Sequence, residues 1–179
     1  MEAHNTTSQW QIDKAHSSVE FSVRHMMITN VKGNFGEFNA DVDLRIEDLS
    51  NSKVYFEIKT ASVNTNEIDR DNHLRSPDFF NSDQYPTIKF DSKSISKDGD
   101  SVKISGLLTI KEVTREVLVV GELQGPIKDP YGFLRIGFDG ELNINRKDYG
   151  LNWNMALEAG GILAGWNVKS LIHLELISK

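Results

Sequence analysis

The sequence contains no cysteine, and this absence excludes several kinds of chemistry at once. A chain without cysteine cannot form disulfides, use a thiolate nucleophile or bind a metal ion through sulfur. The sequence also has no excess of positive charge, because 20 Lys and Arg stand against 26 Asp and Glu, for a net charge of -6. Proteins that bind nucleic acids need basic patches to neutralise phosphates, so we expect no nucleic-acid partner.

Long hydrophobic runs are also missing. Residues 1–10 hold no apolar segment, so we predict neither a signal peptide nor a transmembrane span. We therefore expect a cytoplasmic protein, or a periplasmic or secreted one if a leader has been removed. A chain of 179 residues suffices for one domain with its own core. We predict a disordered extension over residues 1–9 and a single domain over residues 10–179.

What the sequence does contain is a recurring alternation of hydrophobic and polar residues. This period of two is typical of a β-strand with one buried face and one solvated face. Between residues 117 and 123 hydrophobic residues occupy both faces, since Leu118 and Val120 oppose Val117 and Val119, and we expect that strand to be covered on both sides. The alternating runs lie at residues 19–24, 38–45, 54–59, 102–110, 134–144 and 168–176.

Turn signals and glycines indicate how these strands are arranged. Asp98-Gly99 predicts a hairpin, and the Gly-Pro and Asp-Pro steps within residues 125–130 predict a wider loop. Many antiparallel strands in one domain must hide their edges, which favours closure into a barrel, with a two-sheet sandwich as the alternative. Glycine inside a strand is costly unless the sheet bends or another group approaches closely. The glycines that suit a strongly curved sheet are Gly106, Gly121, Gly137 and Gly140.

One segment, residues 61–86, departs from the strand pattern. Asn64 followed by Glu67 resembles a helix start, with Asn64 as the N-cap. Ser76-Pro77 ends the helical pattern, because the residue before proline disfavours helical backbone. We predict one short polar helix over residues 65–75, between two strands.

Candidate catalytic motifs are weak. Asp13, His16 and Ser17 are the residue types of a hydrolytic triad, but three groups within five residues cannot easily take up triad geometry, and we favour a hydrogen-bonded turn. The five histidines lack the spacing of a zinc protease, and the glycine-rich segment 158–165 lacks the lysine of a phosphate loop. We expect no catalytic residues, no metal and no cofactor. The residue patterns leave open whether the barrel is solid or hollow.

Several segments, taken in order, resemble one known family. They include Trp10-Gln11-Ile12-Asp13-Lys14-Ala15-His16-Ser17, Val31-Lys32-Gly33-Asn34-Phe35, Arg70-Asp71-Asn72-His73-Leu74-Arg75-Ser76, Asp78-Phe79-Phe80 and Ile144-Asn145-Arg146-Lys147-Asp148-Tyr149-Gly150. Their order and spacing, from Trp10 to Leu176, resemble the YceI-like family of lipocalin-like proteins associated with polyisoprenoid binding. The resemblance implies an all-β, antiparallel barrel of about eight strands around an elongated apolar cavity, with one short helix between strands. It also implies a homodimer.

The function that this resemblance implies is the binding or carriage of a long isoprenoid or fatty lipid, without catalysis. The alternatives are an enzyme acting on an isoprenoid or acyl chain, with His16 or His73 as acid or base, and a stress-related structural protein with a filled barrel. From the alternation, the residues expected to line the cavity are Phe21, Val23, Phe38, Ala40, Phe56, Ile104, Val119, Ile136, Phe138 and Ile172.

Three polar residues in the matching segments are possible head-group contacts: Arg70, His73 and Arg146. A polar helix and its loop must be fixed to a barrel by charge-assisted hydrogen bonds. Structural ion-pair networks cluster in the same way as ligand-binding charges. We therefore favour a structural role for these residues over contact with a head group.

Overall fold

The computed structural model describes residues 10–178, so the predicted disordered extension over residues 1–9 lies outside the described residues. The polypeptide between these limits is built almost entirely from β-strands, with one α-helix. The elements are β1 Trp10–Ile12, β2 Ser18–His25, β3 Thr29–Phe35, β4 Phe38–Asp43, β5 Lys53–Lys59, β6 Val63–Asn64, α1 Ile68–Arg75, β7 Thr87–Asp98, β8 Ser101–Ile110, β9 Val113–Lys128, β10 Leu134–Asn145 and β11 Ala164–Ser178.

The strands form one closed antiparallel barrel. Three of its eight long strands are each interrupted once: β1 continues into β2, β3 into β4, and β5 into β6. The remaining five are β7 to β11, each paired with the next. The ring closes because β11 pairs with β10 on one side and with both β1 and β2 on the other. The predicted eight-stranded barrel is confirmed, and the sandwich alternative is wrong.

The alternation of the sequence matches the burial of the strands. In β8 every second residue is buried, and these residues include Ile104, Leu108 and Ile110. The expectation that residues 117–123 are covered on both sides is wrong within the single chain. Val119 is 5% exposed, whereas Leu118 is 49% and Val120 is 39% exposed on the outer surface of β9. Hydrophobic residues on both faces of this strand therefore do not indicate a second layer formed by the same chain.

The turns follow the prediction in one case and not in the other. A hairpin joins β7 to β8 directly after Asp98, with Gly99 in the left-handed region at φ +62°. The wider loop predicted over residues 125–130 is shorter than expected, since β9 continues through Gly125 and Pro126 to Lys128. The ladder between β9 and β10 is irregular at this point, between Arg135 and Gly137. Proline lacks the N–H that a regular ladder needs, and a bulge tolerates it.

Helix α1 begins later than predicted. Glu67 is its N-cap, with side-chain oxygens that accept hydrogen bonds from the backbone N–H groups of Asp69 (3.2 Å) and Arg70 (2.7 Å). The predicted N-cap, Asn64, instead accepts from the N–H of Asn66 at 2.8 Å, which makes a local turn before the helix. The helix ends at Arg75, as expected.

Candidate functional site

Among residues 10–178, the strands and loops of the barrel line two neighbouring cavities that are partly open to solvent. The outer cavity has a volume of about 450 Å³ and lies at the end of the barrel that carries α1, the β2–β3 turn and the segment before β11. The inner cavity, of about 160 Å³, lies deeper between the strands. Residues that border both cavities form what we call the shared wall. They are Phe35, Ile88, Ile110, Ile144 and Ser170.

The inner cavity is bordered almost entirely by hydrophobic side chains. Within the described chain, Glu20 and Ser170 are the polar residues of its lining. Its floor includes Leu44 and Leu49, both buried, in the connection between β4 and β5. This connection is held in place, because the Trp10 indole donates to the Leu44 carbonyl at 3.3 Å and the Ser52 hydroxyl accepts from the Arg45 N–H at 2.8 Å.

Three phenylalanine rings that border the cavities are folded back over strand glycines. A Cβ atom at each of these glycines would lie 2.5 Å from a ring carbon, a distance at which the ring must move. Glycine thus gives the ring a recess in the barrel wall, and each ring borders a cavity from that recess. The pairs are Phe21 with Gly33, Phe90 with Gly106 and Phe138 with Gly140.

The outer cavity is apolar inside and polar at its rim. Its apolar lining includes Phe21, Val31 and Val168 on the strands and Phe79 and Trp153 on the loops. The charged and imidazole side chains that border it are Arg24, His25, Glu67, Asp69, Arg70, His73 and Arg146. A long amphiphile would therefore meet polar groups at this end of the barrel and hydrocarbon further in.

Arg70 and Asp71 attach the start of α1 to the preceding strand. The Arg70 guanidinium donates from Nε to Thr65 Oγ1 at 2.7 Å and from Nη2 to the Thr65 carbonyl at 3.0 Å. The buried Asp71 carboxylate accepts from the Thr65 N–H at 2.8 Å and from its hydroxyl at 2.6 Å. Arg75 donates to the carbonyls of Ala61 and Val63, both at 2.8 Å. The helix is thus held by charge-assisted hydrogen bonds.

The segment between β10 and β11, residues 146–163, is what we call the loop wall, and Arg146 is a buried cation at its start. It is 3% exposed, and burial lowers the pKa of its guanidinium below the ordinary value. The guanidinium also lies over the Trp166 ring, 4.4 Å from its centroid. These contacts tie the segment between β10 and β11 to the start of β11. The carbonyls that accept from Arg146, at 2.6 to 3.1 Å, belong to Leu151, Trp153, Ala164 and Gly165.

His73 belongs to an aromatic cluster at the rim. Its Nε2 lies 2.9 Å from Asp78 Oδ2, and its ring meets Phe79 and Trp153 edge-on at centroid distances of 5.1 and 4.5 Å. Arg70, His73 and Arg146, the possible head-group contacts, therefore all border the outer cavity and all have partners within the chain.

The residues expected to line a cavity divide into three groups. Phe38, Ala40 and Ile136 border neither cavity: Phe38 stacks on Phe56 at 5.7 Å, and Ile136 is only 1% exposed within packed core. The alternation of the sequence correctly identifies the inward face of these strands. It does not show where neighbouring side chains pack against that face and leave no cavity. Phe21 and Val23 border the outer cavity. Those that border the inner cavity are Phe56, Ile104, Val119, Phe138 and Ile172.

Sequence reasoning missed the lining contributed by irregular segments. Phe79 and Phe80 follow α1, and Trp153 and Leu163 lie between β10 and β11, where no period marks a buried face. The sequence feature that could have identified these residues is the presence of large apolar side chains in segments whose other residues are mostly polar.

The Asp13, His16 and Ser17 cluster lacks triad geometry. His16 Nδ1 lies 3.1 Å from Asp13 Oδ2, but the Ser17 hydroxyl donates to the Asp13 backbone carbonyl at 2.7 Å. None of these three residues borders either cavity. Asp13, His16 and Glu175 are close enough to share a cation. Arg135 already supplies one, since its Nη1 donates to both carboxylates, at 2.8 Å to Asp13.

Within residues 10–178, no helix has both the length and the apolar character needed to cross a bilayer.

The fold and the cavities define a class of protein, a closed antiparallel barrel built around an internal apolar space. The family model described as "YceI-like domain" matches residues 10–176, and the chain belongs to this family. Among curated relatives, the UPF0312 protein SA2479 of Staphylococcus aureus strain N315 is 40% identical over 163 residues, which cover 90% of this chain and 93% of the relative.

Solved structures share the same fold. BcnA of Burkholderia cenocepacia is 22% identical with a TM-score of 0.81, and the match covers 92% of this chain and 98% of BcnA. A YCEI protein of Campylobacter jejuni is 32% identical with a TM-score of 0.75, over 100% of this chain and 99% of that protein. A polyisoprenoid binding domain of Saccharophagus degradans is 16% identical with a TM-score of 0.71, over 96% and 99%.

Proposed function

We propose that this protein binds a long apolar lipid, an isoprenoid or a related chain, inside its barrel and carries or buffers it without catalysing a reaction. The observation that carries the proposal is the pair of neighbouring cavities, apolar in their depth and polar at one rim. The Saccharophagus degradans relative is named for polyisoprenoid binding. At 16% identity it supports the fold alone, so the ligand class rests on the cavities and on the family resemblance.

Hydrophobic burial supplies enough free energy for such binding. Each CH₂ group removed from water contributes about 0.8 kcal/mol, so ten to fifteen buried carbons give roughly 8–12 kcal/mol. The loss of translational freedom and the ordering of the chain offset several kcal/mol of this. A dissociation constant on the order of micromolar is then expected.

The polar groups at the rim favour binding over acid–base chemistry. Arg70 and Arg146 are committed to backbone and hydroxyl acceptors, and we propose structural roles for both. His16, the other candidate acid or base, lies away from both cavities. A measured turnover of prenyl or acyl esters that disappears in His16→Ala or His73→Ala, with the fold preserved, would replace this proposal by the enzymatic one.

Native mass spectrometry of freshly purified protein, combined with organic extraction, tests the proposal. We expect a co-purifying lipid, its loss after extraction, and its return when extracted lipid is added to the delipidated protein. If the protein carries no lipid and takes none up, the result would favour the alternative hypothesis of a stress-related structural protein with a filled barrel.

Two further properties stay predictions. We propose a homodimer, as the family resemblance implies, and light scattering of the purified protein tests it. We also keep the expectation of a cytoplasmic location, which fractionation of the source cells would check.

A further inference from the structure

We infer that the inner cavity receives the end of the bound chain and that Val119 and Phe138 set the length of chain the barrel can bury, about four to five isoprene units. The inference rests on the proposed function and adds to it the length of chain that the barrel buries and the residues that set this length.

The orientation follows from the polarity of the two cavities. The inner cavity has hydrophobic walls apart from Glu20 and Ser170, whereas charged side chains such as Arg70 and Asp69 border the outer cavity. Burying a polar head group without hydrogen-bond partners is costly, so the head belongs at the outer rim. The apolar end of the chain then extends past the residues of the shared wall, which border both cavities, into the inner cavity.

The floor of the inner cavity makes it an end point. Leu49 lies on a 3-10 turn that packs against β7, and it is buried. Leu44 is buried beside it, with its carbonyl bonded to the indole of Trp10. A chain that has filled the inner cavity therefore meets packed side chains and cannot advance.

The volumes translate into a chain length. An apolar cavity of about 150 Å³ accommodates one benzene molecule, which corresponds to roughly 25 Å³ per carbon atom. On this scale the outer cavity of 450 Å³ holds about 18 carbons and the inner cavity of 160 Å³ about 6. A C15 prenyl chain fits the outer cavity alone, whereas a C20 chain needs the inner cavity as well.

Val119 and Phe138 control the inner cavity without touching the outer one. Both border the inner cavity only. The Phe138 ring is folded over Gly140, and a Cβ atom at Gly140 would also lie 3.2 Å from Val119 Cγ1, so these side chains meet in one region of the wall. A larger residue at position 119 shortens the enclosed path, and a smaller residue at position 138 lengthens it.

The test is a series of all-trans prenols, from C15 to C30 in steps of one isoprene unit, titrated into delipidated protein. Trp153 borders the outer cavity, so its fluorescence reports binding of every chain. We expect wild-type affinity to rise at least about tenfold from C15 to C20, because burying two CH₂ groups is already worth that factor. Affinity should stop rising above C25, since additional units remain in solvent.

Val119→Phe should lower the affinity for the C20 prenol about tenfold or more and leave that for the C15 prenol within about twofold. Val120→Phe, its matched control on the outer surface, should keep the wild-type profile. Phe138→Ala removes six ring carbons, about the space of one five-carbon isoprene unit on the same scale. It should therefore move the plateau up by about one unit, and it keeps the test available if Val119→Phe fails to fold.

Equal losses for C15 and C20 in Val119→Phe, or plateaus that coincide in wild type and Phe138→Ala, would overturn the inference and leave the proposed function standing. If no prenol of any length binds the wild-type protein, the length limit fails. The proposed function fails as well only if native mass spectrometry also finds no bound lipid of any kind.

Discussion

The ring of Phe138 lies over the backbone of Gly140, two residues further along β10, so closely that a Cβ atom at Gly140 would come within 2.5 Å of the ring. The neighbouring strand takes part, since a Cβ atom at Gly121 would lie 2.9 Å from the same ring. Gly121 and Gly140 are paired in the ladder between β9 and β10. Two glycines facing each other thus make one recess for one aromatic side chain.

Gly140→Ala should therefore destabilise the barrel. The added methyl group must push the Phe138 ring out of its recess, and overpacking of this kind costs about 1–3 kcal/mol. For a chain of this length that corresponds to a fall in Tm of roughly 2–12 °C. Thermal unfolding of delipidated protein measures it.

Gly137 on the same strand offers a matched control. A Cβ atom there would lie 3.9 Å from Gln124 Cβ, an ordinary contact distance. Gly137→Ala should leave Tm nearly unchanged. Equal losses in the two variants would mean that strand glycine in general, and not the Phe138 recess, determines the effect.

The contrast between Phe138 and Ile136 explains how much of the site the sequence could predict. Both face inward on β10, as their alternation predicts, yet Phe138 borders the inner cavity and Ile136 is enclosed by packed neighbours. Period two identifies a face. Whether that face meets other side chains or open space depends on residues from distant strands, which no local pattern records.

The start of α1 illustrates a second limit. Asn64 is a good N-cap residue, but its side chain bonds to the N–H of Asn66, and Glu67 caps the helix instead. Two local hydrogen-bonding patterns compete here. The one adopted leaves Thr65 free to bind Arg70 and Asp71, contacts that form only once the helix is placed against the barrel.

Arg70→Ala should lower stability without removing lipid. The substitution removes both hydrogen bonds to Thr65. A buried hydrogen bond to a charged group contributes about 1.5–3 kcal/mol to the free energy of unfolding. Since Arg70 is only half-buried, we expect a fall in Tm of a few degrees. Lipid content at low temperature should match that of wild type.

Ile68→Ala is the control for Arg70→Ala, because Ile68 is 73% exposed on the same helix. It should change neither stability nor lipid content. Unchanged stability combined with lost lipid in Arg70→Ala would instead identify Arg70 as a head-group contact.

The pH dependence of stability should report the ion pairs that Arg135 makes with Asp13, Asp129 and Glu175. Hydrogen bonds from Arg135, and then from His16, hold the pKa of the Asp13 carboxyl below its ordinary value of 3.8. A carboxyl with a lowered pKa in the folded state stabilises the protein fully above its unfolded pKa, and this contribution is lost as pH falls through the folded value. Arg135→Met should therefore be less stable than wild type at pH 6, with a difference that shrinks below about pH 4.

Urea unfolding at a series of pH values measures this difference. Lys93→Met is the control, since the Lys93–Glu116 pair is exposed at both ends and should contribute little at any pH. A difference between Arg135→Met and wild type that stays constant down to about pH 2 would mean that packing of the arginine, not its charge, stabilises this end of the barrel.

Arg146→Lys should destabilise the loop wall even though it keeps the positive charge. The planar guanidinium donates to four carbonyls at once, whereas an ammonium group has three donors on a single atom and cannot reproduce that fork. At least one carbonyl then loses its partner, at a cost of about 1–3 kcal/mol when the group is buried. We expect a lower Tm and, because Trp153 and Trp166 lie in this region, altered tryptophan fluorescence.

Lys97→Arg on β7 is the control for Arg146→Lys, since Lys97 is exposed, lies far from both tryptophans in the sequence, and should tolerate either cation. Arg146→Met adds the decisive comparison. If Arg146 binds an anionic head group, Arg146→Lys should keep both stability and lipid, and Arg146→Met should lose lipid. If Arg146 holds the loop wall, as its carbonyl partners indicate, both substitutions should lower Tm, and lipid loss should follow the loss of structure and not the loss of charge.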